Sequence, residues 1–428
     1  MNTHIKNIDS ILTADRILEL RRIREEKRNE GFTRLTEEIG EASVNELREL
    51  YSLLDERMLI WYGQLYDPNI GGFYFSETAR DTHGFLPDLE STAQALKFFA
   101  TQCDLPGTGE PIMRIPRELG EKIYEFAYEL QDEDGFFYHP QWGKDITPTR
   151  RGRDLGWASQ ILSLKGKYKY PLPLSNSREG EIAVPDYLKN INVYKKWISE
   201  RPFSSKSYAM GNLINSICGQ IRAAGRDFMR ATVDYLDSIQ HSDNGLWEEE
   251  ISYDSVNGLM KIALSYPVFG GKLKFASAAF ESALKAIVSD EPIRFACEFY
   301  NPWAAISVIL CHGDLCEKEK AAIRSELIAR APELVHKTVE KMKTTYTGEG
   351  TFAYFSRSSG ECCTFAQGAR VSLDGVYESD INGNGCSING PLREMYGALG
   401  VNKVPVFTAE DAELLFEIMR LPMNNSNL

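Results

Sequence analysis

Acidic residues recur near the start of apolar segments rich in Ala, Gly and Ser. Asp88 and Glu90 lie in RDTHGFLPDLESTAQ beside His83, Asp154 lies in TRRGRDLGWASQ, and Asp254 lies in LWEEEISYDSVNG. Cleavage of a glycosidic bond needs two such carboxyl groups, one protonated as acid and one ionised as base or nucleophile. Acids at these positions also cap helix amides and complement the helix dipole. We expect Asp88 and Asp154 to form the catalytic pair, with Glu90 and Asp254 as substitutes.

A second chemistry is β-elimination from a uronic acid. It requires a base beside the carbon next to the carboxylate, and a group that neutralises the carboxylate. His83 or His139 would serve as the base, with Tyr208 or Tyr253 as the acid.

Basic and aromatic residues near these acids form the expected binding surface. Guanidinium groups bind carboxylates in a bidentate manner, and aromatic rings stack on the C–H faces of sugars. Packing of the rings against helix ends is the alternative for each ring alone. The expected substrate-binding residues are His139, Trp142, Arg150, Arg153, Trp157, Tyr208, Trp247, Tyr253, Trp303 and Tyr354.

A repeated turn indicates how these residues are positioned. Gly72, Gly135, Gly245 and Gly350 each follow an amphipathic stretch and are followed, after one residue, by an aromatic ring. A less charged helix-like segment comes after each of the first three turns. The separations between the glycines fit a unit of roughly fifty residues, with one turn signature missing in each of the two long gaps.

This periodicity predicts about six helical hairpins, in which exposed and covered helices alternate. We therefore expect an all-α fold, an (α/α)6 toroid with aromatic-rich loops at one mouth; an open solenoid of helix pairs is the alternative. Residues 44–428 would form the toroid and residues 1–43 a charged helical extension. Ser43 and Glu46 match a capping box at the start of the first toroid helix.

Residues 347–390 interrupt the helical pattern with Gly, Ser and Asn. The segment predicts a small β-like excursion over the mouth, with Asp374-Gly375 as a hairpin turn. Its acids lack the downstream Glu of an EF-hand, and no histidine motif accompanies Cys362 or Cys363. We expect neither a metal nor a cofactor.

Composition narrows the classes of partner. The 428 residues carry a net charge of −13 without a long Lys/Arg run, which argues against a nucleic-acid binder. The N-terminus lacks an apolar signal region, and no apolar run is long enough to span a membrane. Eight scattered cysteines without a C-x-x-C motif favour free thiols and a cytoplasmic location.

The turn formed by Gln131, Gly135 and Phe137 resembles the repeat turn of terpene-cyclase and prenyltransferase toroids, and residues 240–247 match it with a longer spacing. The acid-rich D-x-D-D motif and the zinc residues of those families are absent. The hairpin pattern from about residue 44 onward looks more like the six-hairpin glycosidases and the toroid polysaccharide lyases. That resemblance implies a carbohydrate-active enzyme, with paired aspartates at the cavity mouth as in the unsaturated glucuronyl hydrolases.

From these observations we expect a glycoside hydrolase that cleaves a short oligosaccharide, including one that contains uronic acid. A lyase acting by β-elimination is the second hypothesis. A helical scaffold that binds sugar or protein without catalysis is the third. The sequence does not indicate the oligomeric state.

Overall fold

A computed structural model of the chain describes residues 5–173 and 184–423. Within these ranges the protein is predominantly helical, and no helix is long and apolar enough to cross a lipid bilayer. The helices are α1 Ala14–Tyr51, α2 Glu56–Leu65, α3 Glu77–Asp81, α4 Leu89–Gln102, α5 Arg117–Glu129, α6 Pro148–Leu162, α7 Ile191–Ser199, α8 Ser207–Ala224, α9 Arg226–Ser238, α10 Tyr253–Ala263, α11 Tyr266–Phe269, α12 Ala276–Val288, α13 Cys297–His312, α14 Glu317–Ala329, α15 Ala331–Lys343, α16 Ile381–Asn384, α17 Gly390–Leu399 and α18 Ala409–Arg420.

The strands form two short antiparallel pairs. β1 (Tyr66–Asp67) pairs with β2 (Gly72–Phe73), and β3 (Phe365–Ala366) pairs with β4 (Ala369–Arg370). The prediction of an all-α class with a small β-like excursion is therefore confirmed.

The repeated turns share one hydrogen-bond pattern. Gln131 Nε2 donates to the carbonyl of Gly135 at 3.2 Å, and Gln240 Nε2 donates to the carbonyl of Gly245 at 2.8 Å. Both glycines have positive φ, and a Cβ on Gly135 would lie 2.3 Å from the carbonyl oxygen of Pro171. Glycine is needed there because an L side chain meets both strain and a clash. In the first turn the positive φ falls on Gly71 and not on Gly72.

The covered helices pack in the order of the chain. α4 contacts α6, α6 contacts α8, α8 contacts α10, α10 contacts α13, and α13 contacts α17. The segment 381–389, just before α17, contacts α4 again. Helices α5, α9, α12 and α15 each contact at least one helix of this group. Each of the six helices also contributes residues to one cavity.

Helix α1 runs through the boundary expected at residue 43. Its backbone breaks at Gly40 (φ 81°, ψ 157°), and the side chain of Ser43 donates to the carbonyl of Ile39. The predicted cap at Ser43 is therefore wrong, because the helix has already restarted after Gly40. Arg28 joins the first half of α1 to the body by donating to the backbone carbonyls of Leu54 and Val406.

The β3–β4 hairpin turns at Gln367-Gly368, and not at Asp374-Gly375. Gln367 and Gly368 both have positive φ, as a tight two-residue hairpin turn requires. The hairpin brings Phe365, Ala366 and Gln367 against the space enclosed by the covered helices.

Candidate active-site cavity

A cavity of about 270 Å³ lies between the covered helices and the β3–β4 hairpin. α4, α6, α8, α10, α13, α17 and the segment 381–389 all contribute to its wall. This volume is at the small end of the range for ligand sites. The wall mixes aromatic rings, amides, cations and thiols. Its titratable and amide residues are Glu90, Gln94, Lys97, Arg153, Tyr208, Asn215, Lys261, Cys297, Tyr300, Tyr354, Gln367, Asn382, Cys386, Asn389 and Arg393.

Glu90 is the acidic side chain in this part of the wall, and two arginines hold it. Arg150 Nη1 donates to Glu90 Oε2 at 2.7 Å, and Arg153 forms a bidentate pair with both carboxylate oxygens. Burial opposes ionisation, but the two arginines outweigh it and hold the pKa of Glu90 well below its ordinary value. Glu90 is therefore a fixed anion, poorly suited to donate or accept a proton.

Arg150 is buried behind the cavity wall. Besides Glu90 it binds Asp154 Oδ1 at 2.6 Å and the carbonyl of Ala366 at 2.8 Å. It thereby links α4, α6 and the hairpin. Arg153 lies one helical turn further along α6 and reaches the cavity itself.

The cationic side chains of the wall outnumber its acidic side chain. Lys97 and Lys261 form no ion pair with any residue in 5–173 or 184–423, and Arg393 pairs with Glu394. Burial lowers the pKa of Lys97 to about 8, and repulsion from Arg393 and Lys261 adds to that effect. Burial likewise lowers the pKa of Lys261. Such half-buried cations, without a carboxylate partner among the described residues, favour a bound anion.

Cys297 is the first residue of α13, and its sulfur lies beside several donors. The Tyr354 hydroxyl donates to Cys297 Sγ at 3.4 Å, and Tyr208 and Cys386 also lie within hydrogen-bonding reach. Hydrogen bonding from Cys386 outweighs the opposing effect of burial, and together with Lys261 and the two tyrosines it lowers the pKa of Cys297. A helix N-terminus favours a thiolate in the same way.

The proposed aspartate pair lies outside this wall. Asp88 is buried as the N-cap of α4, where it accepts from the amide and the hydroxyl of Ser91. Asp154 is buried against Arg150. Burial raises the pKa of each to about 6. Asp254 is solvent-exposed and pairs with Arg294.

The two histidines considered as bases also lie away from the wall. His83 is exposed. His139 is buried, its Nε2 is 2.8 Å from the carbonyl of Pro87, and its ring stacks on Trp142. Burial lowers the pKa of His139 to about 4. It contacts a separate, open groove between α5 and residues 86–87.

The expected aromatic surface divides into two groups. Trp157, Tyr208 and Tyr354 line the cavity, and the buried indole N–H of Trp157 has no acceptor among the described residues. Trp247 and Trp303 are fully buried and donate to the carbonyl of Leu236 and the hydroxyl of Thr338. The Tyr253 hydroxyl donates to the carbonyl of Glu291. For these last rings the packing alternative fits the geometry.

Several wall residues escaped the sequence analysis, although their spacing carries a signal. Gln94 and Lys97 follow Glu90 by one and two turns of an otherwise covered helix. Cys386 and Arg393 recur on one face of the helical segment that begins at Ile381, which includes a π-helical turn over 385–389. Polar residues at such intervals on a covered helix indicate an internal cavity. The acids, arginines and histidines expected at the site were chosen near helix starts, so these four residues were not among them.

The described ranges contain no group of three or more His, Cys, Asp or Glu side chains that could hold a metal ion. All eight cysteines are free thiols. Asp380, one of the acids of residues 347–390, caps α16 by accepting from the amide of Gly383. Comparison of the chain with protein-family models, curated proteins and solved structures yields no match.

Proposed function

We propose that the protein is an enzyme that binds a small acidic carbohydrate in this cavity and cleaves it by β-elimination. The observation that carries the proposal is the pair of unpaired cations, Lys97 and Lys261, in a wall whose acidic side chain is already neutralised. An anionic ligand would relieve their mutual repulsion. A uronate carboxylate supplies that charge.

The proposal includes a closed (α/α)6 toroid as the scaffold. Its support is the circular order of contacts, in which α4 to α17 pack in turn and the segment 381–389 returns to α4. Each of the six covered helices also contributes to the cavity wall. In an open solenoid the first and last repeats are not neighbours.

The wall also suits a sugar ring. Trp157 and Tyr300 offer aromatic surface, while Asn215 and Asn382 offer both donors and acceptors to hydroxyl groups. The unused indole N–H of Trp157 adds a further donor. Aromatic surface beside a few polar groups is typical of small-ligand sites.

Elimination fits the side chains better than hydrolysis by paired carboxylates. The cations would neutralise the uronate carboxylate and stabilise the charge that develops when the neighbouring carbon loses its proton. The Cys297 thiolate would accept that proton. As the double bond forms, the bond from the next carbon to the leaving oxygen breaks, and Tyr208 would protonate that oxygen. Burial, followed by the nearby Cys297, raises the pKa of Tyr208 well above its ordinary value, so it remains a proton donor.

Hydrolysis remains the second candidate. Asp88 and Asp154 have pKa values near those of catalytic acids because both are buried. Their positions behind the wall weaken this candidate, because an acid must come within hydrogen-bond reach of the bond it cleaves.

Mass spectrometry of products from neutral and uronic oligosaccharides tests the proposal. We expect cleavage of uronic substrates only, with product masses that sum to the mass of the substrate and with the ultraviolet absorbance of an unsaturated uronate. Products whose masses include one added water would establish hydrolysis. Absence of cleavage across pH would contradict both reactions and favour the scaffold hypothesis.

Matched variants sharpen the test. Tyr208→Phe should lower kcat by about 100-fold, the usual contribution of a general acid. Lys261→Met should raise KM for uronates by about tenfold, because a charge-assisted contact is lost. Tyr253→Phe is the control: it removes a hydroxyl outside the cavity, on the helix that carries Lys261, and should leave both constants unchanged.

A further inference from the structure

Cys297 differs from an ordinary buried cysteine in its surroundings. Its sulfur faces the cavity and accepts a hydrogen bond from the Tyr354 hydroxyl at 3.4 Å. Tyr208 and Cys386 approach the same sulfur from α8 and from the segment 385–389. Donors that converge on one sulfur stabilise its ionised form.

The charges around the sulfur also favour its ionised form. Lys261 lies close enough to Cys297 to lower its pKa, and Cys297 begins helix α13. A cation and a helix N-terminus are the two features that most often activate a protein thiol. The rings of Tyr208 and Tyr354 both stack on Phe295, with ring centroids 6.4 and 5.5 Å from its own, which limits the positions of both hydroxyls.

The cations that favour the thiolate also favour an anionic reagent. Lys97 and Lys261 form no ion pair with a described residue and line the same cavity as Cys297. A small molecule with a carboxylate would pair with these ammonium groups and bring its reactive carbon towards the sulfur. Neutral molecules of the same shape would lack that attraction.

We propose that Cys297 is a nucleophilic thiolate site that reacts covalently with small electrophiles bearing a carboxylate. In the reaction with iodoacetate, the bond between Sγ and the CH2 carbon forms as the carbon–iodine bond breaks, and iodide leaves with the bonding electron pair. No proton moves in this step when the sulfur is in its thiolate form. This reactivity does not depend on β-elimination being the natural reaction.

The test compares iodoacetate with iodoacetamide, a neutral reagent of nearly the same size, on the folded full-length protein. Peptide mass spectrometry gives the alkylation rate at each cysteine. Cys311 is the internal control, because it lies on the same helix and is solvent-exposed. We expect the ratio of the iodoacetate rate to the iodoacetamide rate to be about tenfold or more higher at Cys297 than at Cys311.

The pH dependence supplies the second readout. The rate at Cys297 should rise through a midpoint well below about 8.5, the pKa of a free thiol. The titratable groups that act on Cys297 from the surrounding elements are Tyr208, Lys261, Tyr300, Tyr354, Cys363 and Cys386. All except Lys261 are neutral near that midpoint. Lys97 lines the same cavity and has a pKa of about 8, so the midpoint is taken from the neutral reagent iodoacetamide, whose rate follows the thiolate.

Two variants connect the reactivity to the geometry. Lys261→Met should bring the reagent ratio at Cys297 close to that at Cys311, and Tyr354→Phe should move the pH midpoint upward. Tyr253→Phe should change neither. Protection of Cys297 from both reagents, or a ratio and midpoint equal to those of Cys311, would overturn the proposal. Failure to cleave any uronate would contradict the proposed function but would leave these rates unaffected.

Discussion

Cations at the junction of α1 with α18 and cations in the central cavity are partnered differently. Where α1 meets α18, the Arg24 guanidinium is 2% exposed and donates to Asp411, which is 0% exposed, and to Glu56. In the central cavity, Lys97 and Lys261 have no carboxylate partner among the described residues. In the first region the buried arginine is paired with carboxylates of the protein, whereas in the second the two lysines have no such carboxylate.

The difference separates a structural role from a binding role. A buried charge costs several kcal/mol of desolvation unless a partner compensates it. At α1 the protein itself supplies that partner, so the cluster needs no ligand. In the cavity the lysines are half-buried, and no carboxylate of the described residues offsets their smaller cost, which a bound anion would do.

The largest expected effect comes from removing the cation of the Arg24–Asp411–Glu56 cluster. Arg24→Met should lower the free energy of unfolding by about 3–5 kcal/mol, because Asp411 would remain buried without a cation and Glu56 would keep only Arg21. Urea unfolding followed by circular dichroism measures this. Arg22→Met is the control on the same helix; its pairs with Glu19 and Glu26 are exposed to solvent and should contribute little to stability. A loss for Arg24→Met no larger than for the control would remove the contrast between the two regions.

An intermediate effect of opposite sign is expected in the cavity. Lys97→Met should raise the free energy of unfolding by about 1–2 kcal/mol, because it removes an uncompensated charge. Burial lowers the pKa of Lys97 to about 8 from 10.5. The folded state therefore binds the proton less tightly than the unfolded state. The gain should be full below pH 8 and should disappear between pH 8 and 10.5.

Unfolding of Lys97→Met across this pH range, with exposed Lys318→Met as control, provides the measurement. Glucuronate binding, followed by calorimetry, should weaken in Lys97→Met alone. A destabilised variant would mean that Lys97 already has a stabilising partner, and the cavity would then resemble the α1 cluster.

The smallest effect is expected at a buried acid that lacks a direct cation. Asp88→Asn keeps an oxygen for the amide of Ser91 and should raise the free energy of unfolding by about 1 kcal/mol above pH 6. Burial raises the pKa of Asp88 from 3.8 to about 6, so protonation favours the folded state. That contribution is complete below pH 3.8 and is lost as pH rises through 6, so variant and wild type should converge in acid.

The same variant also distinguishes the reactions. Elimination should continue in Asp88→Asn, as it should in the exposed control Asp254→Asn. Loss of turnover in Asp88→Asn alone, without loss of stability, would favour the two-carboxylate hydrolase.

Local features made much of the fold predictable. The amphipathic and covered segments are helices, and the glutamine–glycine turns recur with the same hydrogen bond, because periodicity and positive φ act over a few residues. The sequence predicted a helix start capped by Ser43, whereas the helix breaks at Gly40, three residues earlier. Helix α1 packs on α15 and α18, contacts that a local cap signal does not contain.

The candidate site was only partly predictable. Glu90, Arg153 and Trp157 were found because they lie near helix starts rich in charge and aromatic rings. Asp88 has the same sequence signal as Glu90, two residues away, yet it caps its helix while Glu90 faces the cavity. Successive side chains on a helix point about 100° apart, and no local pattern states which direction is inward.

The sequence by itself determined the helical class, the repeated turns and the supply of polar residues on covered helices, since each depends on contacts between near neighbours in the chain. Only the tertiary structure decided that Cys297, Tyr354 and Cys386 meet beside Lys261. These residues belong to separate helices and loops, and their approach depends on how the helices pack around the cavity. The charge balance of the cavity has the same origin, because a lysine becomes unpaired only when folding removes it from water and brings no carboxylate to it.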